Sequence, residues 1–270
     1  MARPVGVITR GTTAPNRLRR VDRWLLRTYG TWLKSRTTPL IVDLGYGANP
    51  TTTVEMFTRL RDHGLNADVL GLEIDPERVA VAKMMERPRL SFAVGGFELP
   101  APRKPDVVRA FNVLRQYDED AVVPTWNLLA RGMADGGLLV EGTCNEIGRI
   151  ATWVTLRADG DLGVPLTLTL ASRLGSLDRP ATFAERLPKA LIHRNVSGEP
   201  IHRFLSELDH AWQVAAGVGA LSARQRWVSA CESMVAAGWP IKNGRSAWRD
   251  GELTVEWSAV APRAQLRLLR

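Results

Sequence analysis

The sequence predicts an α/β fold with a mostly parallel β-sheet, and two observations support this prediction. Short apolar runs, bounded by glycine, proline or polar residues, alternate with stretches of helical periodicity between residues 40 and 142. The runs also lack the polar alternation of half-exposed strands, which is typical of strands buried on both faces of a parallel sheet. Because strands that alternate with helices form βαβ units, right-handed crossovers are expected.

The predicted elements follow in a regular order from the N-terminus. A helix is predicted over residues 15–34, where Leu18, Val21 and Leu25 recur near the helical period and Pro39 follows its end. The predicted strands of the first half span residues 40–44, 69–74, 90–94, 106–111 and 138–142. The predicted helices between them span residues 51–63, 76–85 and 119–133.

The alternation ends after residue 145. Residues 150–157 and 166–172 are predicted to form a hairpin, because a turn sequence around Gly160 lies between them. Such an antiparallel hairpin commonly extends the edge of a parallel sheet. Helices are then predicted over residues 183–187, 202–216 and 223–237, followed by a strand over residues 253–257.

The composition excludes several classes of protein. Of the 270 residues, 45% are hydrophobic and 24% are charged, which is ordinary for a globular protein and unlike a disordered or fibrous one. Two cysteines, Cys144 and Cys231, cannot build a disulfide framework, so we expect a cytoplasmic protein. The longest uncharged stretch, residues 210–223, has 14 residues, whereas a membrane helix needs roughly 20, so no membrane association is expected.

The formal net charge of +8 is concentrated in the first forty residues. That segment contains nine basic residues and one acidic residue, Asp22, whereas the rest of the chain is balanced. Arg17, Arg20, Arg23 and Arg27 recur every three or four residues and therefore share one face of the predicted helix. Such a face can attract a nucleic acid or a phosphorylated substrate, or it can be a solvated face beside acidic residues.

A glycine-rich turn follows the first predicted strand. Gly45 and Gly47 lack the Cβ atoms that would obstruct a ligand at the end of this strand. A dinucleotide-binding turn needs a third glycine where Pro50 stands, and a Walker A loop needs a Gly-Lys pair that this region lacks. Asp43, two residues before the first glycine, favours a cationic amino-acid ligand, because its charge would repel a pyrophosphate.

A second acidic residue lies at the end of the second predicted strand. In doubly wound folds a carboxylate at this position accepts hydrogen bonds from ribose hydroxyls, and Glu73 is the residue placed to do so. Asp75 directly precedes Pro76 and is predicted instead to cap the next helix. The sequence therefore predicts a ribose site at Glu73.

These two motifs, in this order, resemble those of the class I S-adenosylmethionine-dependent methyltransferases. Residues 43–47 look like the family's glycine-rich first motif, and Glu73 matches its ribose-binding acid. The later matching segments are residues 95–100 for the adenine-contacting motif, 106–114 for the fourth-strand motif and 136–140 for the turn into strand five. The resemblance covers about residues 39–172.

The resemblance implies a Rossmann-like, doubly wound mixed sheet of seven strands, with the antiparallel hairpin of residues 150–172 supplying the last two. It also implies S-adenosyl-L-methionine as the cofactor, with its amino group at Asp43 and its ribose at Glu73. The implied cofactor-binding residues are Asp43, Gly45, Tyr46, Gly47, Glu73, Ile74, Gly96, Phe97, Ala110 and Asn112. No metal ion is predicted, because the spacing of His193 and His202 fits no common zinc pattern.

The sequence departs from the family's motifs in two places. Gly96 stands where the adenine motif usually has an acid, so either Glu98 or the backbone is expected to meet the adenine amine. The fourth-strand segment lacks the signature of amino-group methylation on bases and the Pro-Cys pair of cytosine-C5 enzymes. The methyl acceptor stays open between a small metabolite and an RNA. The alternative is a non-catalytic, methyltransferase-like binding protein associated with nucleic acid.

Methyl transfer needs alignment of the acceptor and, for some acceptors, a base. Ligands of doubly wound folds bind beyond the carboxyl ends of the strands. The candidates for a catalytic role near that edge are Tyr117, Asn112, Glu146 and Glu141.

The chain is expected to divide into three segments. These are a basic helical segment (1–38), the cofactor-binding core (39–175) and a mainly helical extension (176–270). We expect residues 176–215 to cover the acceptor pocket, with Arg186, His193 and Arg194 near its mouth.

Overall fold

The computed structural model describes residues 4–8, 11–217 and 222–266 of the chain. Its strands are β1 (Leu40–Leu44), β2 (Asp68–Glu73), β3 (Leu90–Val94), β4 (Val107–Phe111), β5 (Leu138–Cys144), β6 (Ile150–Asp159), β7 (Leu162–Ser172) and β8 (Glu252–Glu256). They form one eight-stranded sheet in the order β3-β2-β1-β4-β5-β6-β7-β8.

The first five strands form the doubly wound part of the sheet. All four strand pairs in the order β3-β2-β1-β4-β5 are parallel, as predicted. Every residue of β1, β4 and β5 is buried, including one charged residue in each strand: Asp43, Arg109 and Glu141. The other residues of these strands are mostly apolar, as expected for strands covered on both faces. Because the chain winds one way from β1 to β3 and the other way from β4, the topological switch point lies between β1 and β4.

The helices are α1 (Arg19–Lys34), α2 (Thr51–Asp62), α3 (Pro76–Lys83), α4 (Val122–Gly132), α5 (Lys189–Ile192), α6 (Pro200–Ala216), α7 (Ala223–Ala236), α8 (Arg245–Arg249) and α9 (Arg263–Leu266). α3 begins as predicted, with the Asp75 side chain accepting a hydrogen bond from the Glu77 amide at 2.9 Å. α1 begins four residues later than predicted, because Asn16 has a φ of 62° and its amide bonds to Glu55. None of the described helices is long and apolar enough to cross a membrane.

The chain divides into two compact units. The first consists of Met1–Gly148 and Leu156–Val164 and contains α1 to α4 with β1 to β5. The second consists of Arg149–Thr155 and Pro165–Arg270. In the second unit α6 packs against α7, and the rings of Trp212 and Trp227 lie 6.3 Å apart in its core.

The predicted count of seven strands is wrong by one. The segment predicted as a strand over residues 253–257 forms β8, which pairs antiparallel with β7. Thr169 and Thr254 face each other in this pair, and their hydroxyl groups are hydrogen-bonded at 2.9 Å. The helix predicted over residues 183–187 is a 3-10 segment, Pro180–Arg186, opened by a proline that leaves no amide to donate.

Candidate functional site

A cavity lies at the carboxyl ends of β1, β2, β3 and β4, beside the switch point, and has an open volume of about 270 Å³. Its walls are formed by Leu44, Gly45, Glu73, Ile74, Gly95, Gly96, Phe97, Val113 and Tyr117, together with Val5, Gly6 and Val7. The structure thus brings together the predicted site residues Gly45, Glu73, Ile74, Gly96, Phe97 and Tyr117. The predicted site residues outside this lining are Asp43, Tyr46, Gly47, Ala110, Asn112, Glu141 and Glu146.

The glycine-rich turn has the backbone conformation that its sequence predicts. Gly45 has a φ of 70°, in the left-handed region that favours glycine. A Cβ atom at Gly45 would lie 2.8 Å from a methyl carbon of Val113, which is closer than real Cβ contacts. The Gly45 amide donates to the Leu72 carbonyl at 2.7 Å, which fixes the turn against the end of β2. A glycine is therefore required at this point of the cavity wall.

Glu73 is the charged residue of the cavity wall, and it is only 1% exposed. One carboxylate oxygen accepts from the Gly47 amide and the other from the Ile74 amide, both at 3.0 Å. The guanidinium of Arg78 approaches to 3.8 Å. Since a carboxylate has about four acceptor positions, these bonds leave capacity for further donors such as ribose hydroxyls.

Apolar and aromatic groups form much of the remaining wall. The rings of Phe97 and Tyr117 lie 5.4 Å apart, and both residues line the cavity with Ile74. Tyr46 points elsewhere and packs edge-on against Phe92 at 5.5 Å. This part of the wall is therefore apolar and aromatic, as is common in small-molecule sites.

Asp43 belongs to a buried ion network outside the cavity lining. Both of its oxygens accept from Arg109, at 2.9 and 2.7 Å, and Thr53 donates to the second one at 2.6 Å. Arg109 also bonds to Asp22 of α1, and Arg59 donates to the other oxygen of Asp22 at 2.5 Å. The sequence did not reveal the roles of Asp22 and Arg109 in this network. The binding of the cofactor's amino group by Asp43 stays a prediction.

Burial and charge oppose each other within this network. Burial alone would lower the pKa of Arg109, but the adjacent Asp43 and Asp22 carboxylates raise it. Burial raises the pKa of Asp22, against the lowering effect of Arg109 and Arg59. Two carboxylates and a permanently charged guanidinium therefore form a closed, hydrogen-bonded group that holds β1 and β4 in register at the turn.

Asn112 and Ala110 belong to β4 and its exit. Asn112 has a φ of 60°, and its side chain reaches the end of β5. There its oxygen accepts from the Cys144 amide at 3.0 Å, and its NH₂ group lies 3.3 Å from the Cys144 sulfur. Ala110 is buried beside Leu44 in the β1–β4 pair. Asn112 thus joins the ends of two strands next to the cavity.

The other catalytic candidates have different environments. Tyr117 lines the cavity, and its hydroxyl accepts from the Val7 amide at 2.6 Å. Burial raises the pKa of Tyr117, so its hydroxyl is a neutral hydrogen-bonding group at pH 7. Glu146 is exposed. Glu141 is fully buried in β5, and burial raises its pKa to about 8.

Comparisons with known proteins find similarity to solved structures alone. No family model matches the chain, and no curated protein matches it. Parts of many solved methyltransferase structures are similar to it. Magnesium protoporphyrin IX methyltransferase from Synechocystis PCC 6803, with bound S-adenosylhomocysteine, is 18% identical over 47% of this chain and 54% of its own, with a TM-score of 0.37.

Two further structures are similar to this chain to about the same degree. The plantazolicin methyltransferase BamL, in complex with a triazolic desmethylPZN analog and S-adenosylhomocysteine, is 14% identical over 47% of this chain and 46% of its own, with a TM-score of 0.36. The CMeT domain of the citrinin polyketide synthase is 19% identical over 41% of this chain and 30% of its own, with a TM-score of 0.34. The match therefore spans about half or less of each of these three chains.

Proposed function

We propose that this chain is an S-adenosylmethionine-dependent methyltransferase that binds its cofactor in the cavity at the switch point. The observation that carries the proposal is the buried Glu73 carboxylate, which lies at the end of β2 against the Gly45–Gly47 turn and faces an aromatic-walled cavity. That combination suits a ligand with a ribose and a flat base. The motif resemblance, which extends to residues 95–100, 106–114 and 136–140, favours the same ligand.

Each wall of the cavity has a role in holding the cofactor. Glu73 would accept from the ribose hydroxyls, and Ile74 and Phe97 would enclose the base. Gly45 allows the left-handed turn and its close packing against Val113, which together shape the wall beside the ligand. When bound, the cofactor supplies a methyl group on a positively charged sulfur, so the protein's main task is to align the acceptor.

The candidate residues differ in what they can do for an acceptor. Tyr117 lines the cavity and can orient an acceptor through its neutral hydroxyl, but its raised pKa makes it a poor proton acceptor at pH 7. Asn112 acts as a positioning residue, because its side chain is engaged with the end of β5. We therefore propose that alignment, rather than a strong base within the cavity, drives the transfer.

The acceptor stays open between a small metabolite and an RNA. One observation favours RNA: the basic side chains of α1 that are exposed are Arg19, Arg23, Arg27 and Lys34. Positions 19, 23 and 27 recur every four residues and so share one helix face. A basic face of this kind contacts phosphates without selecting a sequence.

Calorimetric titration with S-adenosylhomocysteine tests the proposal. Replacing Glu73 with alanine removes a charged partner of the ribose, so Glu73→Ala should bind about tenfold more weakly or worse. The matched control is Glu77→Ala, because Glu77 is an exposed carboxylate on the adjacent helix. Equal affinity in a folded Glu73→Ala protein would refute the ribose assignment, and NAD should not bind to any of the three proteins.

A second experiment separates an enzyme from a binding protein. Labelled S-adenosylmethionine is incubated with the protein and a cell extract, and the label is followed into small molecules and RNA. A methyltransferase should label one of these fractions, and Glu73→Ala should lower that labelling. A protein that binds S-adenosylhomocysteine and labels neither fraction would instead match the non-catalytic alternative.

A further inference from the structure

An N-terminal strap, residues 4–8, lies directly on the segment predicted to contact the adenine. The Val5 carbonyl accepts from the Phe97 amide at 2.9 Å, and the Val5 amide donates to Glu98 at 2.8 Å. The other oxygen of Glu98 accepts from the Gly96 amide at 2.9 Å. The backbone of Val5 thus occupies one donor and one acceptor of the cavity edge, the Phe97 amide and the Glu98 carboxylate.

The strap continues between the side chains that form the predicted base pocket. The Val7 amide donates to the Tyr117 hydroxyl at 2.6 Å, and the Val7 carbonyl accepts from Gln116 at 3.2 Å. A Cβ atom at Gly6 would lie 3.3 Å from the Tyr117 hydroxyl oxygen, and 3.8 and 3.9 Å from Ile74 and Phe97. Gly6 has a φ of 146°, which side-chain-bearing residues rarely adopt. The space between Ile74, Phe97 and Tyr117 therefore accommodates a glycine and leaves little room for a larger residue.

An adenine would need the same groups that the strap uses. Its amino group is a donor beside a ring nitrogen that is an acceptor, and the Glu98 carboxylate and the Phe97 amide offer the complementary pair. In the structure both are bonded to Val5.

The strap is held mainly through its backbone. Val5, Val7 and Ile8 are 45%, 58% and 54% exposed, respectively. These three residues therefore leave about half of their surface exposed, and a ligand that replaces the strap's hydrogen bonds can displace it.

We propose that residues 4–8 occupy the base half of the cofactor site and must leave it before the cofactor binds. This inference rests on the proposed function. The strap and the base compete for Glu98 and the Phe97 amide. The apparent affinity for the cofactor is therefore the intrinsic affinity multiplied by the fraction of molecules whose site is open. The N-terminal segment thereby sets how much cofactor is needed to fill the enzyme.

Two substitutions in the full-length chain weaken the strap and leave every residue of the opposite cavity wall unchanged. Gly6→Val places a branched side chain between Ile74, Phe97 and Tyr117 in a conformation that valine avoids. Val5→Pro removes the amide that donates to Glu98. Val5→Ala is the matched control, because it keeps both backbone bonds and changes only a half-exposed side chain.

Calorimetric titration with S-adenosylhomocysteine compares these proteins with the unmodified chain. Gly6→Val and Val5→Pro should bind about fivefold more tightly or better, and Val5→Ala should stay within about twofold. Unchanged or weaker binding by both strap variants, when the unmodified chain binds, would overturn the inference and leave the proposed function standing. No binding by any of the four proteins would overturn the proposed function, and the inference with it.

Hydrogen–deuterium exchange gives a second readout that does not depend on activity. Adding S-adenosylhomocysteine to the unmodified protein should speed exchange at the Val5 and Val7 amides, because their acceptors are lost when the strap leaves. Exchange at the Gly47 amide, which is bonded to Glu73, serves as the reference and should not rise. Slower exchange at Val5 and Val7 would show a strap that closes over the ligand and would overturn the inference.

Discussion

Glu141 and Tyr117 show how burial changes the proton affinity of two candidate catalytic residues. Burial raises the pKa of both, because an interior of low polarity disfavours the charged form. For Tyr117 the result is a phenol that stays neutral at pH 7. For Glu141 the result is a carboxyl group whose pKa of about 8 makes it mostly protonated at pH 7, even though the Trp126 indole favours the charged form.

The raised pKa of Glu141 predicts that stability falls as pH rises. Between about pH 4.5 and pH 8 the unfolded chain releases a proton that the folded chain retains, so rising pH stabilises the unfolded state relative to the native one. At about 1.4 kcal/mol per pH unit, this costs about 4 kcal/mol between pH 5 and pH 8. Glu141→Gln cannot ionise and should lose this part of the pH dependence, as measured by urea unfolding at several pH values.

Glu77→Gln is the control for that measurement, because Glu77 is exposed. Its stability should follow the same pH dependence as the unmodified chain. A Glu141→Gln protein whose unfolding free energy falls as steeply with pH as that of the unmodified chain would contradict the assignment of Glu141 as a buried, protonated acid.

The Asp22–Arg109–Asp43 network connects elements that lie far apart in the sequence. It joins α1, β4 and β1, and the Thr52 carbonyl of α2 accepts from the same guanidinium at 3.1 Å. All three charged residues are at most 2% exposed. Breaking a buried ion group leaves uncompensated charge in the interior, which destabilises strongly.

Arg109→Met should therefore lower the free energy of unfolding by about 3–5 kcal/mol, since Asp22 and Asp43 would both lose their shared partner. Adding Asp22→Asn to that variant should recover part of the loss, because one of the two buried charges is removed. Arg131→Met is the control: Arg131 is exposed and 3.7 Å from Asp161, so its loss should cost less than about 1 kcal/mol. Urea unfolding followed by tryptophan fluorescence measures all three.

Secondary-structure elements that have a local pattern in the sequence are found in the structure where they are predicted. β1 and β3 span residues 40–44 and 90–94, as predicted, because an apolar run bounded by breakers is visible without any partner. β8 was predicted as a strand, but its place beside β7 could not be, because pairing at a sheet edge depends on distant residues.

The same distinction holds for the candidate site. The positions of Gly45 and Glu73 at strand ends follow from motifs in the sequence, and both line the cavity. The strap gave no such signal, because its bonds come from backbone groups that every sequence possesses. Asp22 gave none either, since a single acid in a basic helix does not reveal that it faces Arg109. That residues 176–215 cover the acceptor pocket stays a prediction.

On the scale of the whole molecule, the net charge of +8 is carried by the N-terminal forty residues. Two of the basic residues counted there, Arg3 and Arg10, lie outside the described residues. The acidic residue of α1, Asp22, points into the core and pairs with Arg109 and Arg59, so it does not neutralise the outer face of the helix. The predicted face of Arg17, Arg20, Arg23 and Arg27 is only partly right, because Arg17 precedes α1 and Arg20 is half-buried. The exposed basic residues of α1 are Arg19, Arg23, Arg27 and Lys34, and this set is the basic face of α1.

If the acceptor is an RNA, the basic face of α1 should make its binding strongly salt-dependent. Each phosphate contact adds about 0.7 to the log–log salt slope for single strands, so four contacts give a slope of about −3. Arg19→Ala with Arg23→Ala should flatten the slope by about 1.4, whereas Arg131→Ala with Arg157→Ala, two exposed arginines on other elements, should leave it unchanged. Fluorescence anisotropy with a generic RNA between about 50 and 200 mM salt measures the slopes. Negligible binding at low salt, or an equal loss in both double variants, would remove α1 as an RNA-binding face and leave a small metabolite as the acceptor.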